Sequence, residues 1–180
     1  MRIIGGRLGG RRIRPPANMP HTRPTTDIAK EGLFNILQNS YGIDGADTLD
    51  LFGGTGCISY ELASRGASTL TVVERDPRMC AYIENTAAQL GIENLRLVRQ
   101  DVFRYLADCK VDFDIVFAGP PYALTDIERL PELVLEKGIL RDEGCFVLEH
   151  TPRNDFSNHP RLHRERSYGT TVFSIFVNGA

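Results

Sequence analysis

A glycine-rich turn that follows an apolar run is the strongest chemical signal in this sequence. The run Thr48–Phe52 ends at three glycines within four residues, Gly53, Gly54 and Gly56, and a helix-compatible segment follows. Glycine adopts positive φ at little cost and leaves room for ligand atoms against the backbone. The segment therefore predicts a strand, a tight turn and the start of a helix that together hold a nucleotide-like ligand.

Acidic side chains come at the ends of the predicted strands around this turn. Asp50 lies at the end of the first strand, and Glu74 ends the second, 18 residues beyond Gly56. A carboxylate at the position of Glu74 can accept hydrogen bonds from both hydroxyls of a ribose. Asp101, followed by Val102, comes after the third strand and is placed for an adenine amino group. These side chains would meet at the carboxyl edge of the sheet, where doubly wound folds bind ligands.

A fourth signal at the same edge is the segment after the fourth predicted strand, Gly119-Pro120-Pro121-Tyr122. Each signal alone is weak, because a glycine turn is often only a turn and an acid at a strand end is often only solvated. Four of them in order, at the same end of successive strands, favour a ligand site. A dinucleotide-binding motif would need a third glycine where Ser59 stands, so the sequence favours a nucleoside ligand without a pyrophosphate.

The elements that would position these residues alternate along the chain. Strand-like runs separated by short amphipathic helices predict an α/β fold, with a parallel sheet covered by helices on both faces. Two final strand-like runs around Gly169 have no helical pattern between them and predict an antiparallel hairpin. The predicted strands are Asp47–Phe52, Thr69–Glu74, Leu95–Arg99, Phe113–Ala118, Cys145–Glu149, Leu162–Tyr168 and Thr170–Val177, and the predicted helices are Ile28–Gln38, Ile58–Ser64, Pro77–Leu90, Phe103–Ala107 and Asp126–Lys137.

Positive charge is concentrated at the N-terminus. Residues 1–26 hold six of the 21 basic residues and no acid, which leaves 15 basic and 23 acidic side chains in residues 27–180. A basic arm (1–26) on an acidic domain (27–180) is the pattern expected for binding a polyanion. A solvated, partly disordered tail is the alternative, but isoleucines flanking the glycines favour a short β-hairpin. The arginines of the arm are Arg2, Arg7, Arg11, Arg12, Arg14 and Arg23.

Several classes of protein are disfavoured by composition. The four cysteines are widely spaced without a Cys-x-x-Cys pattern, which predicts core residues, a reducing cytoplasmic compartment and no metal. No apolar run approaches the length of a membrane span, and the N-terminus has no signal-peptide core. The histidines share no spacing that indicates a metal site, although His150 ends a predicted strand on the ligand side and could make a minor substrate contact.

Taken together, these segments resemble the class I S-adenosylmethionine-dependent methyltransferases. More narrowly, the chain resembles the bacterial family that methylates the exocyclic N2 of a guanine in 16S ribosomal RNA. The resemblance covers nearly the whole chain and rests on M-R-I-I-G-G-R-L-G-G-R-R-I, R-P-T-T-D with E-G-L-F-N-I-L, L-D-L-F-G-G-T-G, E-L-A-S-R-G-A, V-V-E-R-D and P-P-Y. It implies a Rossmann-like, mostly parallel seven-stranded sheet with a C-terminal antiparallel hairpin, and a monomer acting on 16S ribosomal RNA or the small subunit.

The same resemblance implies S-adenosylmethionine as the cofactor and assigns roles to matching positions. The cofactor residues would be Asp50, Gly53, Gly54, Gly56, Glu74, Asp101 and Val102, together with Thr25. Residues of the R-P-T-T-D segment would cover the active site from the N-terminal side, namely Arg23, Pro24 and Thr25. The target base would meet Pro120, Pro121 and Tyr122.

One position departs from the family pattern. Amino-methyltransferases present two acceptors to the amine, the side chain that opens a (D/N/S)-P-P-(Y/F/W) motif and the carbonyl of its first proline, while the aromatic ring stacks on the flipped base. The motif here opens with Gly119, which has no side-chain acceptor. Losing an acceptor worth ~2.7–4 kcal/mol would slow the chemistry by roughly 10²–10³ without disturbing cofactor binding.

Three explanations for Gly119 stay open at this point. A water or another side chain replaces the acceptor, the chain is a weakened homologue that still binds cofactor and RNA, or the residue is an engineered substitution. A non-catalytic RNA-binding factor in ribosome assembly also fits the glycine and the basic arm, and cofactor turnover separates it from an enzyme. DNA adenine-N6 methylation is disfavoured, because 180 residues leave no room for a target-recognition domain.

Overall fold

A wound α/β sheet forms the body of the molecule. The computed structural model describes residues 1–17 and 25–179, and in these a seven-stranded sheet has the order β3-β2-β1-β4-β5-β7-β6. The strands are β1 Asp47–Leu51, β2 Thr69–Glu74, β3 Leu95–Arg99, β4 Phe113–Ala118, β5 Leu140–His150, β6 Leu162–Tyr168 and β7 Thr171–Phe176. The helices are α1 Asp27–Ser40, α2 Cys57–Ser64, α3 Pro77–Gln89, α4 Val102–Asp108 and α5 Arg129–Glu136.

The strand order fixes where a ligand can bind. Strands β1 to β5 run parallel, and β7 is antiparallel to both β5 and β6. Strand β1 pairs with β2 on one side and with β4 on the other, so the winding direction reverses between β1 and β4. A crevice opens at the carboxyl ends of the strands at such a switch point. The predicted parallel sheet with a closing antiparallel hairpin is therefore confirmed.

The core lies on both faces of the sheet. One cluster of buried side chains joins α1, α2 and α3 to the sheet, and the other joins α4 and α5 to it. Neighbouring residues of one strand divide between the clusters, as Phe146 and Val147 of β5 do. Successive side chains of a strand point to opposite faces, so the helices cover the sheet from both sides.

Most element boundaries lie within two residues of the prediction, and two differ from it by three residues or more. Strand β5 begins at Leu140 rather than Cys145, with a register shift against β4, because Arg141 holds this polar stretch through ion pairs with Asp47, Asp112 and Asp114. Helix α5 begins at Arg129 rather than Asp126, because the preceding residues form a turn closed by the Arg129 amide and the Asp126 carbonyl at 3.0 Å.

The N-terminal arm begins with a short β-hairpin that is docked on the body of the domain. An antiparallel bridge joins Arg2 to Arg12, and the amides of Ile3, Gly10 and Ile13 donate across the turn at 2.8–2.9 Å, so the predicted short β-hairpin is confirmed. Three apolar side chains of the arm, Ile3, Leu8 and Ile13, are buried in the same cluster as α1 and α2. Residues 18–24 lie outside the described part of the chain, so the site assignments of Arg23 and Pro24 are not tested by it.

A buried carboxylate holds the arm in place. Glu61 of α2 is fully buried and accepts hydrogen bonds from the amides of Ile4 and Gly5, at 2.8 and 2.9 Å. Nε of Arg65 lies 2.9 Å from Oε2 of Glu61, and Nζ of the buried Lys30 of α1 lies 3.5 Å from Oε1 of Glu61. The Lys30 ammonium also donates to the Arg2 carbonyl. Buried charges need such partners, because an uncompensated one costs several kcal/mol.

Within residues 1–17 and 25–179, no helix is both long and apolar enough to span a membrane.

Candidate active site

A cavity of about 450 Å³ opens at the carboxyl ends of β1, β2 and β4. The described residues of the predicted site line it, with one exception: Gly56 lies behind the turn, where it caps α2 with φ 80°. The predicted RNA-binding arginines of the described arm do not line the cavity, and all of them are exposed. The predicted site residues that share the cavity wall are Thr25, Asp50, Gly53, Gly54, Glu74, Asp101, Val102, Gly119, Pro120, Pro121 and Tyr122.

The glycine turn is shaped by two different constraints. Gly54 has φ 58°, as the sequence predicts for a tight turn. Gly53 is needed for space instead, because a Cβ there would lie 2.4 Å from Cγ1 of the buried Val72. Phe52, immediately before, is the one non-glycine residue of the described chain with positive φ, at 61°. Such backbone strain is typical of ligand-binding loops.

Replacing Gly53 by alanine should therefore destabilise the turn. The added methyl must displace either the turn or the Val72 side chain, and overpacking of this kind costs about 1–3 kcal/mol. Urea unfolding of Gly53→Ala would measure the loss, with Gly179→Ala as a matched glycine substitution in open space. Adding Val72→Ala removes the clashing methyl, so the double variant should be less destabilised than the sum of both single variants; simple additivity would contradict this explanation.

Glu74 links the turn to the rest of the site. Its Oε1 accepts the Gly54 amide at 2.9 Å, and its Oε2 accepts the Asp76 amide at 2.8 Å. The carboxylate is thus fixed in orientation at the cavity wall. Each carboxylate oxygen accepts two hydrogen bonds, so both oxygens of Glu74 retain capacity for the hydroxyls of a ligand.

Asp50 lies deeper in the same wall. It is 2% exposed and accepts a hydrogen bond of 2.7 Å from the Ser59 hydroxyl. Burial raises the pKa of Asp50 to about 7, against the lowering effect of the Ser59 hydrogen bond, and the charges of Glu74 and Glu149 raise it further. Three carboxyl groups, those of Asp50, Glu74 and Glu149, thus line one cavity, which suits a ligand that carries positive charge because a nearby cation favours their charged forms.

Asp101 and Val102 form the opposite wall. Asp101 caps α4, because its Oδ2 accepts the Arg104 amide at 3.1 Å. Val102, the first residue of that helix, is buried and lines the cavity beside it. A carboxylate next to an apolar side chain can accept from an exocyclic amino group while the ring of the base packs on the aliphatic surface.

The segment Gly119–Tyr122 closes the cavity beside β1. The Gly119 amide donates to the Leu51 carbonyl at 3.3 Å, which ties the motif to the end of that strand. Pro120 is buried, whereas the Tyr122 side chain is 43% exposed at the rim. An exposed aromatic ring at a cavity mouth offers a stacking surface for a planar group.

Several polar residues of the cavity wall were missed by the sequence analysis, namely Thr55, Arg75, Asp76, Gln100 and Glu149. Glu149, near the end of β5, is the buried acid among them. Its Oε1 accepts a 2.8 Å hydrogen bond from the Thr25 hydroxyl. Its neighbour His150 is not a cavity-lining residue, so the substrate contact suggested for it is not supported. The His150 ring nitrogens lie 2.8 Å from the Thr151 carbonyl and 2.7 Å from the Ser174 hydroxyl.

Comparison with known proteins agrees with this geometry. The family model described as "Conserved hypothetical protein 95" matches residues 1–177. Ribosomal RNA small subunit methyltransferase D of Escherichia coli K12 is 33% identical over 183 residues, which cover 100% of this chain and 91% of that protein. The chain belongs to the methyltransferase D family. The protein of the same name from Haemophilus influenzae is 30% identical over 189 residues, covering 99% of this chain and 94% of that protein.

Solved structures extend the match for this methyltransferase D family member. A hypothetical protein of Thermus thermophilus superposes with a TM-score of 0.86 at 28% identity, covering 98% of this chain and 99% of that one. An RNA methyltransferase of Salinibacter ruber shares the fold at 15% identity, with a TM-score of 0.68 over 86% of this chain and 92% of that one. The predicted family, Rossmann-like fold and methyltransferase class are therefore confirmed.

Proposed function

We propose that this protein transfers the methyl group of S-adenosylmethionine to the exocyclic N2 amine of a guanine in 16S ribosomal RNA. The observation that carries the proposal is the single cavity that joins the glycine turn, Glu74 and Asp101 to the Pro-Pro-Tyr segment. The residues predicted to hold the cofactor and those predicted to meet the base thus line one cavity. The names of the relatives, which act on small-subunit ribosomal RNA, support the class of substrate.

The residues present fit S-adenosylmethionine. The Glu74 carboxylate has acceptor capacity for two ribose hydroxyls, and Asp101 with Val102 suits an adenine. The carboxyl groups of Asp50, Glu74 and Glu149 on the cavity wall suit the positive charge of a sulfonium and an α-amino group. When bound, the cofactor supplies an electrophilic methyl carbon whose sulfur leaves as a neutral thioether.

The chain's own residues would then position the amine. The guanine N2 lone pair is delocalised into the ring, so acceptors facing its N–H groups must direct it toward the methyl carbon. The Pro120 carbonyl, fixed by the rigid Pro120–Pro121 backbone, is one such acceptor. The exposed Tyr122 ring at the rim would stack on the flipped base. Alignment supplies proximity, and the acceptors stabilise the positive charge that grows on nitrogen.

The RNA backbone would be held by the exposed arginines of the arm. Arg2 already pairs with Asp27 at 3.0 Å, which leaves more cationic surface at Arg7, Arg11, Arg12 and Arg14. The arm also contributes buried side chains to the core, so deleting it would damage the fold together with the charge. Charge removal is therefore the cleaner test of RNA binding.

Changing Arg7, Arg11, Arg12 and Arg14 to glutamine should weaken RNA binding and flatten its salt dependence. Each lost phosphate contact lowers the slope of log K against log salt by about 0.7–0.9. Filter binding or fluorescence anisotropy at several salt concentrations would measure the slope. Arg96→Gln, an exposed substitution on β3, is the matched control, and an unchanged slope in the fourfold variant would remove the arm from the RNA interface.

Methyl transfer itself is tested on small ribosomal subunits that lack the modification. The wild-type protein and labelled S-adenosylmethionine should yield N2-methylguanosine after the RNA is digested to nucleosides. Naked 16S ribosomal RNA in parallel would show whether the assembled particle is required. Subunits that already carry the modification are the control. Label on a different atom, or no label from a protein that binds the cofactor, would contradict the proposal.

Gly119 is the observation that favours a second candidate, a cofactor- and RNA-binding assembly factor without turnover. Such a factor would bind both ligands but leave the subunits unlabelled.

The main proposal also includes a cytoplasmic location and a monomeric state. The four cysteines are free thiols in the structure, which supports a reducing compartment, and sedimentation would test the monomer.

A further inference from the structure

The glycine that opens the Pro-Pro-Tyr segment leaves an acceptor missing, and the neighbouring strand supplies a candidate. Strands β4 and β5 are parallel neighbours in which Ala118 pairs with Leu148. The next residues along the two strands are Gly119 and Glu149. A Cβ built at Gly119 would lie 3.9 Å from Oε2 of Glu149. The Glu149 carboxylate therefore reaches the space next to where the missing side chain would begin.

The Glu149 carboxylate is held with one oxygen toward that space. Its Oε1 accepts from the Thr25 hydroxyl at 2.8 Å, while Oε2 is the oxygen nearest to Gly119. The residue is 7% exposed and lines the cavity together with Thr25 and Gly119. Asp50 is the other buried acid of the wall, but none of its atoms is among the three nearest to a Cβ at Gly119. Among the three atoms nearest to a Cβ at Gly119, only the Glu149 oxygen is an acceptor.

We propose that Glu149 is the catalytic hydrogen-bond acceptor for the target amine, in place of the side chain absent at Gly119, and that Thr25 positions it. The inference rests on the proposed methyl transfer to an exocyclic amine and names the group that makes it possible with this motif. Thr25 is a positioning residue, because it acts through Glu149.

The chemical step balances with this assignment. The nitrogen lone pair forms the N–C bond to the methyl carbon, and the C–S bond breaks with its electron pair going to sulfur. The nitrogen becomes cationic and loses one proton to Oε2 of Glu149. Burial raises the pKa of the Glu149 carboxyl, against the lowering effect of the Thr25 hydrogen bond. A raised pKa makes the carboxylate a stronger base for that proton.

The test combines substitutions at both positions, with methyl transfer to unmodified small subunits as the readout. Glu149→Ala should lower kcat by roughly 10²–10³, with affinity for S-adenosylhomocysteine within about threefold of wild type. Glu149→Gln keeps the size of the side chain but cannot take the proton, so a loss of at least about tenfold is expected. Glu143→Ala, an exposed acid on the same strand, is the matched control.

Gly119→Asp supplies the decisive comparison. In the wild-type background its Cβ would lie 3.1 Å from Cε1 of Phe117 and its carboxylate would come close to Glu149, so activity should stay level or fall. In the Glu149→Ala background the same change restores an acceptor and should raise kcat at least about tenfold. A purely structural role for Glu149 would not produce this reversal of sign.

The outcomes separate the two proposals. An active wild type whose Glu149→Ala and Glu149→Gln variants keep full activity overturns the role of Glu149 and leaves the methyl transfer intact. Loss of cofactor affinity in step with kcat, or no recovery in the double variant, also overturns it. A wild type that binds cofactor but becomes active only as Gly119→Asp overturns both proposals, because nothing then replaces the missing acceptor.

Discussion

Replacing Glu61 by alanine is expected to destabilise the protein by about 3–5 kcal/mol. This carboxylate is fully buried and compensates the ammonium of Lys30, which is 1% exposed. Without it, Lys30 keeps a buried charge whose remaining hydrogen bond is to the Arg2 carbonyl. The amides of Ile4 and Gly5 lose their acceptor at the same time. The expected loss is therefore large for one substitution.

The effect should begin in the N-terminal arm. Both amides that Glu61 holds belong to the arm, so Glu61→Ala should release it before the sheet unfolds. Limited trypsin digestion would detect early cleavage at the arm's arginines, and thermal unfolding should shift by about 2–4 °C per kcal/mol for a chain of this size. Glu31→Ala, an exposed acid on α1, is the control. An unchanged unfolding midpoint would mean that Glu61 does not hold the arm.

Replacing Glu74 by alanine should weaken cofactor binding by two orders of magnitude or more. Hydrogen bonds to a charged group contribute about 1.5–3 kcal/mol each, and the proposal gives Glu74 two of them to the ribose. The variant also frees the Gly54 amide, which Glu74 holds at 2.9 Å, so the glycine turn loses its anchor. Both effects act in the same direction.

Calorimetry with S-adenosylhomocysteine would measure the loss at Glu74. Glu84→Ala removes an exposed acid of α3 that does not line the cavity, and its affinity should match wild type. Glu74→Gln keeps one acceptor oxygen, so its affinity for S-adenosylhomocysteine should lie between those of wild type and Glu74→Ala. Equal affinity in wild type and Glu74→Ala would exclude Glu74 from the cofactor site, whereas equal thermal stability with lower affinity would show that the loss is local.

The predictable part of the site consists of residues whose role depends on the local chain. Glu74 ends β2, Gly54 and Asp101 lie within three residues of the ends of β1 and β3, and strand ends of a parallel sheet meet at one edge. Once the alternation of strands and helices is recognised, their place at the cavity wall follows. The Pro-Pro-Tyr segment is placed by the same argument, since it continues β4 by only a few residues.

The parts that sequence reasoning missed depend on contacts between distant segments. Residues Cys145 to His150 are all buried, so no polar alternation shows that Glu149 rather than His150 faces the cavity. The Thr25 hydroxyl that orients Glu149 comes from 124 residues earlier in the chain. The role of Glu61 was hidden for the same reason, because an acid inside E-L-A-S-R-G-A looks like an ordinary surface residue until the arm covers it.

The position of β7 has a consequence for how the protein is made. This strand is the last of the described strands along the chain but lies between β5 and β6 in the sheet. Strand β6 pairs only with β7 among the described strands, so it leaves the ribosome before its partner exists. Until β7 arrives, β5 presents an unpaired edge, which is an exposed template for association with other chains. A translation product that stops after Tyr168 would therefore lack two strands of the sheet, although only one would be missing from its sequence.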